Sequence, residues 1–393
     1  MDASEMHGVD LFGHPLDATD NSPKRKSRTA IARAAIIKAK VISKPVVLGI
    51  GPGKARPPHT TYQIPQNQPH LGNLVEIYDV VPRFCELKET RDIDGMIRSV
   101  SGCIKGINYT VTVTAATIPK KVIETQEDGA QTKVLRNIGA FPGVREEFVE
   151  KAIRKISTYS SKIETDRCVV SFTLYELKKE LMEFGHDYRY DEIREALNIL
   201  THSRIQIVTT DPAMKTIDHI SGYLNNLEIR SSSRKSKFYD PELAASGQAR
   251  CTVELHKLLS LKISEGQFRL YQYGIDMSLG STYARHLLRH LTLVWTNARV
   301  GTPFKLSLND FIVNILARKK TPKLHNDYRK LDEAVKGLVQ TGLLEPDYKA
   351  EPIKAVKGNG YADYTFEFLP TNRFVTSVIE AGMGVSNRPK QLA

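Results

Sequence analysis

The side chains best suited to chemistry lie in the segment His286–His290, which reads HLLRH. A histidine and an arginine at this spacing can bind a phosphate group, because both donate charge-assisted hydrogen bonds. The segment lacks the glutamate of the zinc-binding pattern His-Glu-x-x-His, so it does not predict a metalloprotease. The glycine-rich stretch Gly49–Lys54 also fails as a phosphate loop, since Ala55 replaces the required serine or threonine. We interpret that stretch as a linker.

The pair His286 and Arg289 resembles the His-x-x-Arg box of tyrosine recombinases, in which these side chains bind the scissile phosphate. Such an enzyme also needs a distant arginine in a Gly-x-Arg setting and a downstream histidine followed by a tyrosine nucleophile. No upstream Gly-x-Arg is convincing, and Tyr328 follows His325 too closely to supply the second pair. We therefore expect a protein that is not an enzyme and has no cofactor or metal, with the recombinase as an alternative. On this interpretation Arg285, His286 and Arg289 are partly exposed residues of a helix.

The composition indicates a basic, globular chain. Its 393 residues suffice for two or three domains, and 41% of them are hydrophobic, as in proteins with real cores. The net charge of +12 and a pI near 9.3 favour a polyanionic partner, either nucleic acid or an anionic membrane surface. No apolar run approaches the roughly 18 residues that cross a bilayer, and the start is not a secretory signal. We expect a soluble, cytoplasmic protein.

The cysteines form neither a metal nor a disulfide pattern. Cys85, Cys103, Cys168 and Cys251 are far apart and include no Cys-x-x-Cys pair. A zinc site would lack its paired ligands, and a disulfide scaffold needs more cysteines in a shorter chain. We expect all four to be reduced and most of them to be buried.

Residues 1 to 60 are predicted to form a disordered basic arm. They are rich in Pro, Gly, Lys and Arg and poor in core-forming periodicity. Such a tail is suited to DNA phosphates, and a nuclear-localisation signal of similar composition is the alternative. The candidate phosphate-contacting residues of this arm are Lys24, Arg25, Lys26 and Arg28.

Strand and helix patterns begin after the arm. Alternating residues predict a strand at Ile107–Ile118 and a second strand near Thr132–Ile138. After the break at Pro142 and Gly143, the segment Val144–Tyr159 has the apolar spacing of a helix. The region from 61 to 142 is therefore expected to contain strands and to lead into the first full domain.

A pattern of two helices followed by a strand occurs twice in the rest of the chain. The apolar positions of the first helix differ by 134 residues between the copies, and those of the second helix and strand by 138. A small residue in the second helix lets crossing helices approach closely, and the strand begins a wing. Chance similarity between amphipathic helices is the alternative. The matched pairs are Leu174 and Leu308, Leu177 and Phe311, Leu181 and Ile315, Ile193 and Leu331, Ala196 and Ala334, Leu197 and Val335, Leu200 and Leu338, and Ile205 and Leu343.

The second helix of each copy is the candidate for reading DNA. In a helix-turn-helix, residues opposite the apolar stripe of this helix point into the major groove. Asn and Gln can pair with adenine there, and Arg and Lys with guanine. A solvated helix face has a similar composition and is the alternative for each residue. The base-reading candidates are Arg194, Asn198 and His202 in the first copy and Arg329, Lys336 and Gln340 in the second.

Basic, loop-like segments near these helices are suited to phosphate contacts. One lies at 230 to 237 (RSSSRKSK) and another at 318 to 323, ahead of the second reading helix. Further lysines lead into the turn Gly358–Gly360, where the second wing is expected. The phosphate-contacting candidates of these segments are Arg230, Arg234, Lys235, Lys237, Arg318, Lys319, Lys320, Lys323, Lys354 and Lys357.

We therefore predict an α+β fold with two tandem winged-helix domains behind a basic arm. The expected function is sequence-specific binding of double-stranded DNA. The predicted boundaries are 1–60 for the arm, 61–142 for the strand-containing region, 143–262 and 263–375 for the winged-helix domains, and 376–393 for a flexible tail.

From about Val144 to Leu369 the chain resembles the iteron-binding plasmid replication initiators of the TrfA and Rep type. The segments that carry this resemblance are SFTLYEL at 171–177, LGSTYAR at 279–285, PFKL at 303–306 and GLLE at 342–345. The resemblance implies a bacterial protein whose two winged helices bind successive major grooves of a repeated origin sequence. It further implies opening of an AT-rich segment, recruitment of the host initiator and replicative helicase, and a homodimer in autoregulation. A winged-helix transcription regulator is the nearest alternative.

Some members of that family carry a sliding-clamp-binding peptide with a Gln-Leu-Ser/Asp-Leu-Phe pattern. Val9–Phe12 keeps its Asp-Leu-Phe without the Gln, and Leu74–Asp79 lies at the corresponding place without the Gln or the Phe. Ordinary burial in a strand is the alternative for the second segment. The clamp-binding candidates are Leu11, Phe12, Ile77 and Tyr78.

Overall fold

The structure of the protein is a computed structural model. It describes residues 71–85, 89–90, 94–125, 131–164, 167–213, 215–230, 247–265, 267–319, 324–355 and 360–386. All of these residues fall within one compact unit of the chain. Helices and antiparallel sheets both contribute, which confirms the predicted α+β class. Within the described ranges, no helix is both long and apolar enough to cross a bilayer.

The helices of the described residues are α1 (Glu76–Val80), α2 (Val144–Ser160), α3 (Leu174–Glu183), α4 (Tyr190–His202), α5 (Lys257–Ser264), α6 (Tyr273–Ser278), α7 (Thr282–Val294), α8 (Leu308–Asp310), α9 (Leu324–Gln340) and α10 (Asn372–Ser386). A π-helical turn, Phe311–Ile315, continues α8. The helix predicted from Val144 is confirmed as α2.

The strands of the described residues are β1 (Gly72–Leu74), β2 (Glu89–Thr90), β3 (Ile97–Ile104), β4 (Ile107–Thr114), β5 (Ala116–Thr125), β6 (Gln131–Ala140), β7 (Ser161–Glu164), β8 (Arg167–Thr173), β9 (Arg204–Thr210), β10 (Thr216–Gly222), β11 (Leu224–Arg230), β12 (Arg250–Leu255), β13 (Arg269–Tyr271), β14 (Phe304–Ser307), β15 (Lys349–Lys354) and β16 (Tyr361–Phe368).

These strands form antiparallel sheets with the orders β1-β13, β2-β6-β5, β10-β9-β4-β3, β11-β12-β8-β7 and β14-β16-β15. The alternating segment predicted as one strand at Ile107–Ile118 is two strands, because the chain leaves β4 at the buried Ala115 and enters a different sheet as β5. The second strand predicted near Thr132 is confirmed as β6.

The two copies of the sequence pattern begin with the same local structure. β8 leads into α3 through Thr173, whose hydroxyl accepts a hydrogen bond from the backbone N–H of Glu176. β14 leads into α8 through Ser307, whose hydroxyl accepts one from the N–H of Asp310. These side chains start each helix because they satisfy an N–H group that has no partner within the first turn.

The matched apolar positions of the two copies are all buried, as predicted. Their spacing of three and four residues along α4 and α9 places them on one helix face. The first copy belongs to a core that also takes in Met277, Leu293 and Ala317 from the second half of the chain. The second copy belongs to a separate core between Leu279 and Val378.

The copies diverge after their second helices. In the first copy, β9 pairs with β10 and β4, so its hairpin extends a sheet that does not contain β8. In the second copy, Leu343 and Leu344 occupy a buried turn, and the strand expected there begins only at Lys349. The hairpin of β15 and β16 then joins β14 directly, because β16 pairs with both strands.

The flexible tail predicted from residue 376 is corrected by α10, which extends to Ser386. Phe374, Val378 and Ala381 are buried, and the Phe374 ring lies 5.3 Å from that of Trp295. Their spacing of four and three residues puts them on one face. Packing of this apolar face against the second core accounts for the helix.

Candidate nucleic-acid interface

The outer face of α9 carries the three base-reading candidates of the second copy. Arg329, Lys336 and Gln340 are exposed and lie opposite the buried stripe of the helix. The Lys336 ammonium lies 2.6 Å from a carboxylate oxygen of Asp332, and this hydrogen bond raises the pKa of Lys336. The Arg329 guanidinium has only a 4.0 Å contact with Glu333. This face therefore offers two cations and an amide to solvent.

A hairpin stands beside α9. Tyr328 of the helix packs against Tyr364 of β16, with ring centroids 4.4 Å apart, so helix and hairpin hold one another. Lys354, Ile353 and Tyr361 are exposed next to the turn that joins β15 to β16. Helix and hairpin thus share an exposed surface that is basic along α9 and partly apolar at the hairpin.

The outer face of α4 is less open. His202 is exposed, but Asn198 and Arg194 are half-buried. Nδ1 of His202 donates to the backbone oxygen of Asn198 at 2.8 Å, which leaves Nε2 as the nitrogen for a partner. Burial raises the pKa of the Cys251 thiol to about 12, although the nearby positive charge of Arg194 acts to lower it. Because Cys251 belongs to β12, Arg194 lies close to that strand and not at the centre of the outer face.

One flank of α4 is covered by the hairpin of β5 and β6. Glu195 of α4 is also occupied, because its carboxylate lies 2.9 Å from the guanidinium of Arg145 on α2. The open part of the outer face is therefore the part that carries Asn198 and His202. The residues that are buried together between α4 and the hairpin are Ile199, Ala116, Ile118, Ile138 and Ala140.

The described phosphate candidates differ in their surroundings. Lys319 and Lys354 are exposed, and Arg230 is exposed beside Glu228, which lies 2.7 Å away. Arg318 instead donates to the Tyr283 hydroxyl at 2.7 Å and has an internal role. The other candidates, which lie outside the described residues, are Lys24, Arg25, Lys26, Arg28, Arg234, Lys235, Lys237, Lys320, Lys323 and Lys357.

A cluster of buried charges joins α2 to α7. The Glu147 carboxylate lies 3.0 Å from Arg285, 2.7 Å from Arg289 and 2.9 Å from Lys151. Burial by itself would raise the pKa of Glu147, but Arg285, Lys151 and Arg289 hold it well below the usual range. Lys151 also contacts Asp276 at 2.6 Å. This cluster, Glu147, Lys151, Asp276, Arg285 and Arg289, is called the ionic junction below.

The partial exposure predicted for Arg285, His286 and Arg289 is wrong, because all three side chains are buried. Burial also lowers the pKa of His286 well below its usual value, so the ring is neutral. A Gly-x-Arg sequence does occur upstream at Gly143–Arg145, but the Arg145 guanidinium is bound by acidic neighbours, Glu146 at 2.7 Å among them. In this arrangement the HLLRH segment presents no phosphate-binding surface.

The clamp-binding prediction at Ile77 and Tyr78 is corrected in the same way. Tyr78 is fully buried, and its hydroxyl donates to Glu150 at 2.5 Å. Ile77 is half-buried against the first core. Burial was the expected alternative, although the segment is the helix α1 and not a strand. Leu11 and Phe12 lie outside the described residues.

Arg204 is an exposed basic residue that is not among the predicted DNA-contacting residues. It follows directly after α4 and pairs with Thr114 across β9 and β4. Its strand has an alternating pattern that predicts an outward side chain, and this signal was available in the sequence. Together with His202, it borders a cleft whose other lining residues are Thr201, Ile220, Ser221, Gly222 and Asn225.

Comparison with known proteins gives little sequence similarity. No protein-family model matches the chain, and no curated protein matches it. Among solved structures, a selenomethionine derivative of domains 2 and 3 of RctB is similar at 8% identity over 75% of this chain and 96% of that chain, with a TM-score of 0.42. A second structure of RctB domains 2 and 3 is 10% identical over 78% and 99% of the two chains, with a TM-score of 0.39.

Proposed function

We propose that this protein is a plasmid replication initiator that binds repeated origin DNA sequence-specifically and without catalysis. Two tandem winged-helix domains, built on the two copies, would each read part of one repeat in double-stranded DNA. α4 and α9 would enter successive major grooves. The protein would act in the bacterial cytoplasm and need no cofactor.

The observation that carries this proposal is the arrangement of the second copy. Its elements follow the order of a winged helix, with α7, β14, α8, α9 and then the hairpin of β15 and β16, and with β16 as the central strand. α9 buries its apolar stripe and exposes Arg329, Lys336 and Gln340 beside the hairpin. Arg and Lys pair with guanine and Gln with adenine in a major groove, so this face is chemically suited to base reading.

The first copy supports the same function in a modified form. It has the same capped helix and the same buried stripe on α4, and His202 and Asn198 border the open face. Its hairpin of β9 and β10 extends another sheet, so it departs from the winged-helix pairing of the second copy. We expect α4 to contribute fewer base contacts than α9.

The absence of catalysis is part of the proposal. A recombinase would need His286 and Arg289 at a DNA phosphate, whereas Arg289 is bound to Glu147 at 2.7 Å and both residues are buried. Opening of an AT-rich segment, recruitment of the host initiator, helicase and sliding clamp, and a homodimer in autoregulation are proposed from the resemblance to TrfA and Rep proteins. A transcription regulator would bind DNA equally well but would not open it.

The test measures discrimination between a cognate repeat and repeats scrambled in either half, at fixed salt. Replacing Lys336 and Gln340 together by Ala should remove discrimination in one half, at roughly 1 to 3 kcal/mol for each lost base contact. Replacing Asn198 and His202 by Ala should relax the other half. Lys319→Ala should weaken all sequences about equally, because a phosphate contact carries no base information.

The matched control for Lys336 is Lys305→Ala. Lys305 is 67% exposed and lies 3.2 Å from Glu367, much as Lys336 is 60% exposed beside Asp332, but it sits on β14 away from α9. It should not alter discrimination. Full discrimination by the Lys336 and Gln340 double variant would refute base reading by α9. Unwinding of an AT-rich segment in a plasmid origin, probed by permanganate, separates an initiator from a regulator.

A further inference from the structure

The hairpin of β5 and β6 is longer than its packing requires. Its strands pair over ten residues each, from Ala116 with Ala140 to Thr125 with Gln131. At about 3.3 Å per residue this corresponds to an arm of roughly 30 Å. Among the hairpin side chains that the structure describes, the buried ones lie near its base, where Ile118 and Ile138 pack with α4. The distal half therefore projects beyond the core that anchors it.

The anchor places this arm beside the open face of α4. The hairpin contacts α4 at Ile199, which is buried. At about 100° per residue, Ile199 is separated by about 60° around the helix from His202 and by about 100° from Asn198. The arm also starts immediately after β4, whose Thr114 pairs with the exposed Arg204. A ligand lying on the Asn198 and His202 face would run alongside the arm.

The distal half exposes aliphatic side chains on a two-stranded ribbon. Ile123 is 58% exposed and Leu135 is 65% exposed. Ile123 pairs with Lys133 in the register, and Leu135 lies two residues after Lys133 on the same face, opposite to the face that carries Ile118 and Ile138. Two aliphatic residues and one lysine therefore share this face of the ribbon. Large exposed aliphatic residues grouped in this way indicate an interaction surface.

The charge of the two strands selects the partner. They contain the basic residues Lys120, Lys121, Lys133 and Arg136 and one acidic residue, Glu124. Lys133 and Arg136 are exposed. This excess of basic over acidic residues in the two strands favours a polyanionic partner.

We propose that the β5–β6 hairpin is a β-ribbon arm that binds duplex DNA next to the base pairs faced by α4. A two-stranded ribbon has the width to enter a major groove. Lys133 contacts a phosphate from the same face of the ribbon as Ile123 and Leu135, which contact thymine methyl groups and sugars. This inference rests on the proposed DNA binding, which it extends to a flanking segment of the repeat.

The test uses the full chain on a cognate repeat with long flanks. Replacing Lys133 by Ala should weaken binding about 5-fold at 0.15 M salt and reduce the slope of log affinity against log salt by about 0.9, the contribution of one phosphate contact. Replacing Ile123 and Leu135 by Ser should shorten the hydroxyl-radical footprint on the flank next to the α4 half-site. Thermal unfolding should stay unchanged, since these residues lie outside the cores.

The control is Ile379→Ser, which changes a 52% exposed isoleucine on α10 and should leave the footprint intact. If both arm variants gave the footprint and the salt slope of the wild type, the proposed DNA binding by the β5–β6 hairpin would be refuted. Loss of self-association in sedimentation, with DNA binding unchanged, would also overturn it and assign the ribbon to a second copy of the chain. Failure of the wild type to bind any origin duplex would instead refute the proposed function.

Discussion

Helices α4 and α9 bury the same stripe of side chains but have different surroundings. Each carries an Ala-apolar-x-x-Leu sequence toward a core, and all of these positions are buried. α9 exposes its outer face beside the hairpin of its own copy. α4 is instead flanked by the hairpin of β5 and β6, which precedes the first copy in the chain and covers Ile199. The repeated core therefore does not imply a repeated surface. A duplicated fold can present two different faces to one DNA molecule.

The helices that precede the two copies are joined by the ionic junction. α2 supplies Glu147 and Lys151, and α7 supplies Arg285 and Arg289. Coupling of the copies is thus electrostatic at this contact, whereas each copy is held internally by apolar packing. The predictions below separate the coupling from the packing.

The largest expected effect is at the junction. Glu147→Ala removes the carboxylate that binds three buried cations, of which Lys151 and Arg289 keep a contact with Asp276, and it should lower the free energy of unfolding by about 3–5 kcal/mol. Urea unfolding at pH 7 measures the change. Glu195→Ala removes a more exposed partner of Arg145 and should cost less than about 1 kcal/mol. Equal losses of unfolding free energy for Glu147→Ala and Glu195→Ala would show that the buried ion pairs of the junction stabilise the fold no more than a more exposed ion pair does.

The equivalence of the two cores is tested at matched positions. Leu200→Ala and Leu338→Ala each remove a fully buried side chain from the same place in α4 and α9. Each should cost about 2–5 kcal/mol, because a cavity is left as well as lost burial. Guanidinium unfolding followed by circular dichroism gives both values. A loss below about 1 kcal/mol for one variant would show that its helix is not anchored by the shared stripe.

A histidine beside each core is kept neutral by burial: His256 lies 4.9 Å from the Tyr78 ring, and His290 lies 6.3 Å from the Phe304 ring. Burial lowers the pKa of His256 in the first core region to about 3 and that of His290 on α7 to about 4. Since the unfolded pKa is about 6.5, the unfolded chain binds more protons between these values, and stability falls as pH drops below about 6.5. The loss should approach about 1.4 kcal/mol per pH unit for each histidine. His290→Gln should reduce this slope in unfolding measured at pH 7, 6 and 5, and an unchanged slope would contradict the assignment.

The smallest effect is expected at the helix caps. Thr173→Ala and Ser307→Ala each remove a side-chain hydrogen bond to the first turn and should cost about 1 kcal/mol. Ser307 also donates to Asp363 at 2.6 Å, so its replacement should cost the more of the two. Thermal unfolding of both variants measures the difference. A larger loss at Thr173 would contradict the expected contribution of the hydrogen bond from Ser307 to Asp363.

The sequence by itself determined which residues of α4 and α9 are buried. Apolar spacing acts within a few residues, so its signal is present in any short window. The α+β class, the helix α2 and the strand β6 were predictable for the same reason. The end of the second copy was not predictable, because α10 is held by packing against Trp295 and no local sequence signal marks where it ends.

Only the tertiary structure decided which polar residues remain available. Arg285 is buried because Glu147, which is 138 residues away, lies against it, and nothing near Arg285 in the sequence announces that partner. Likewise, Ile199 is covered by a hairpin that is separated from α4 by the whole of α2, α3 and β8. A charged side chain can be buried where opposite charges compensate its desolvation, and that compensation depends on contacts between distant segments.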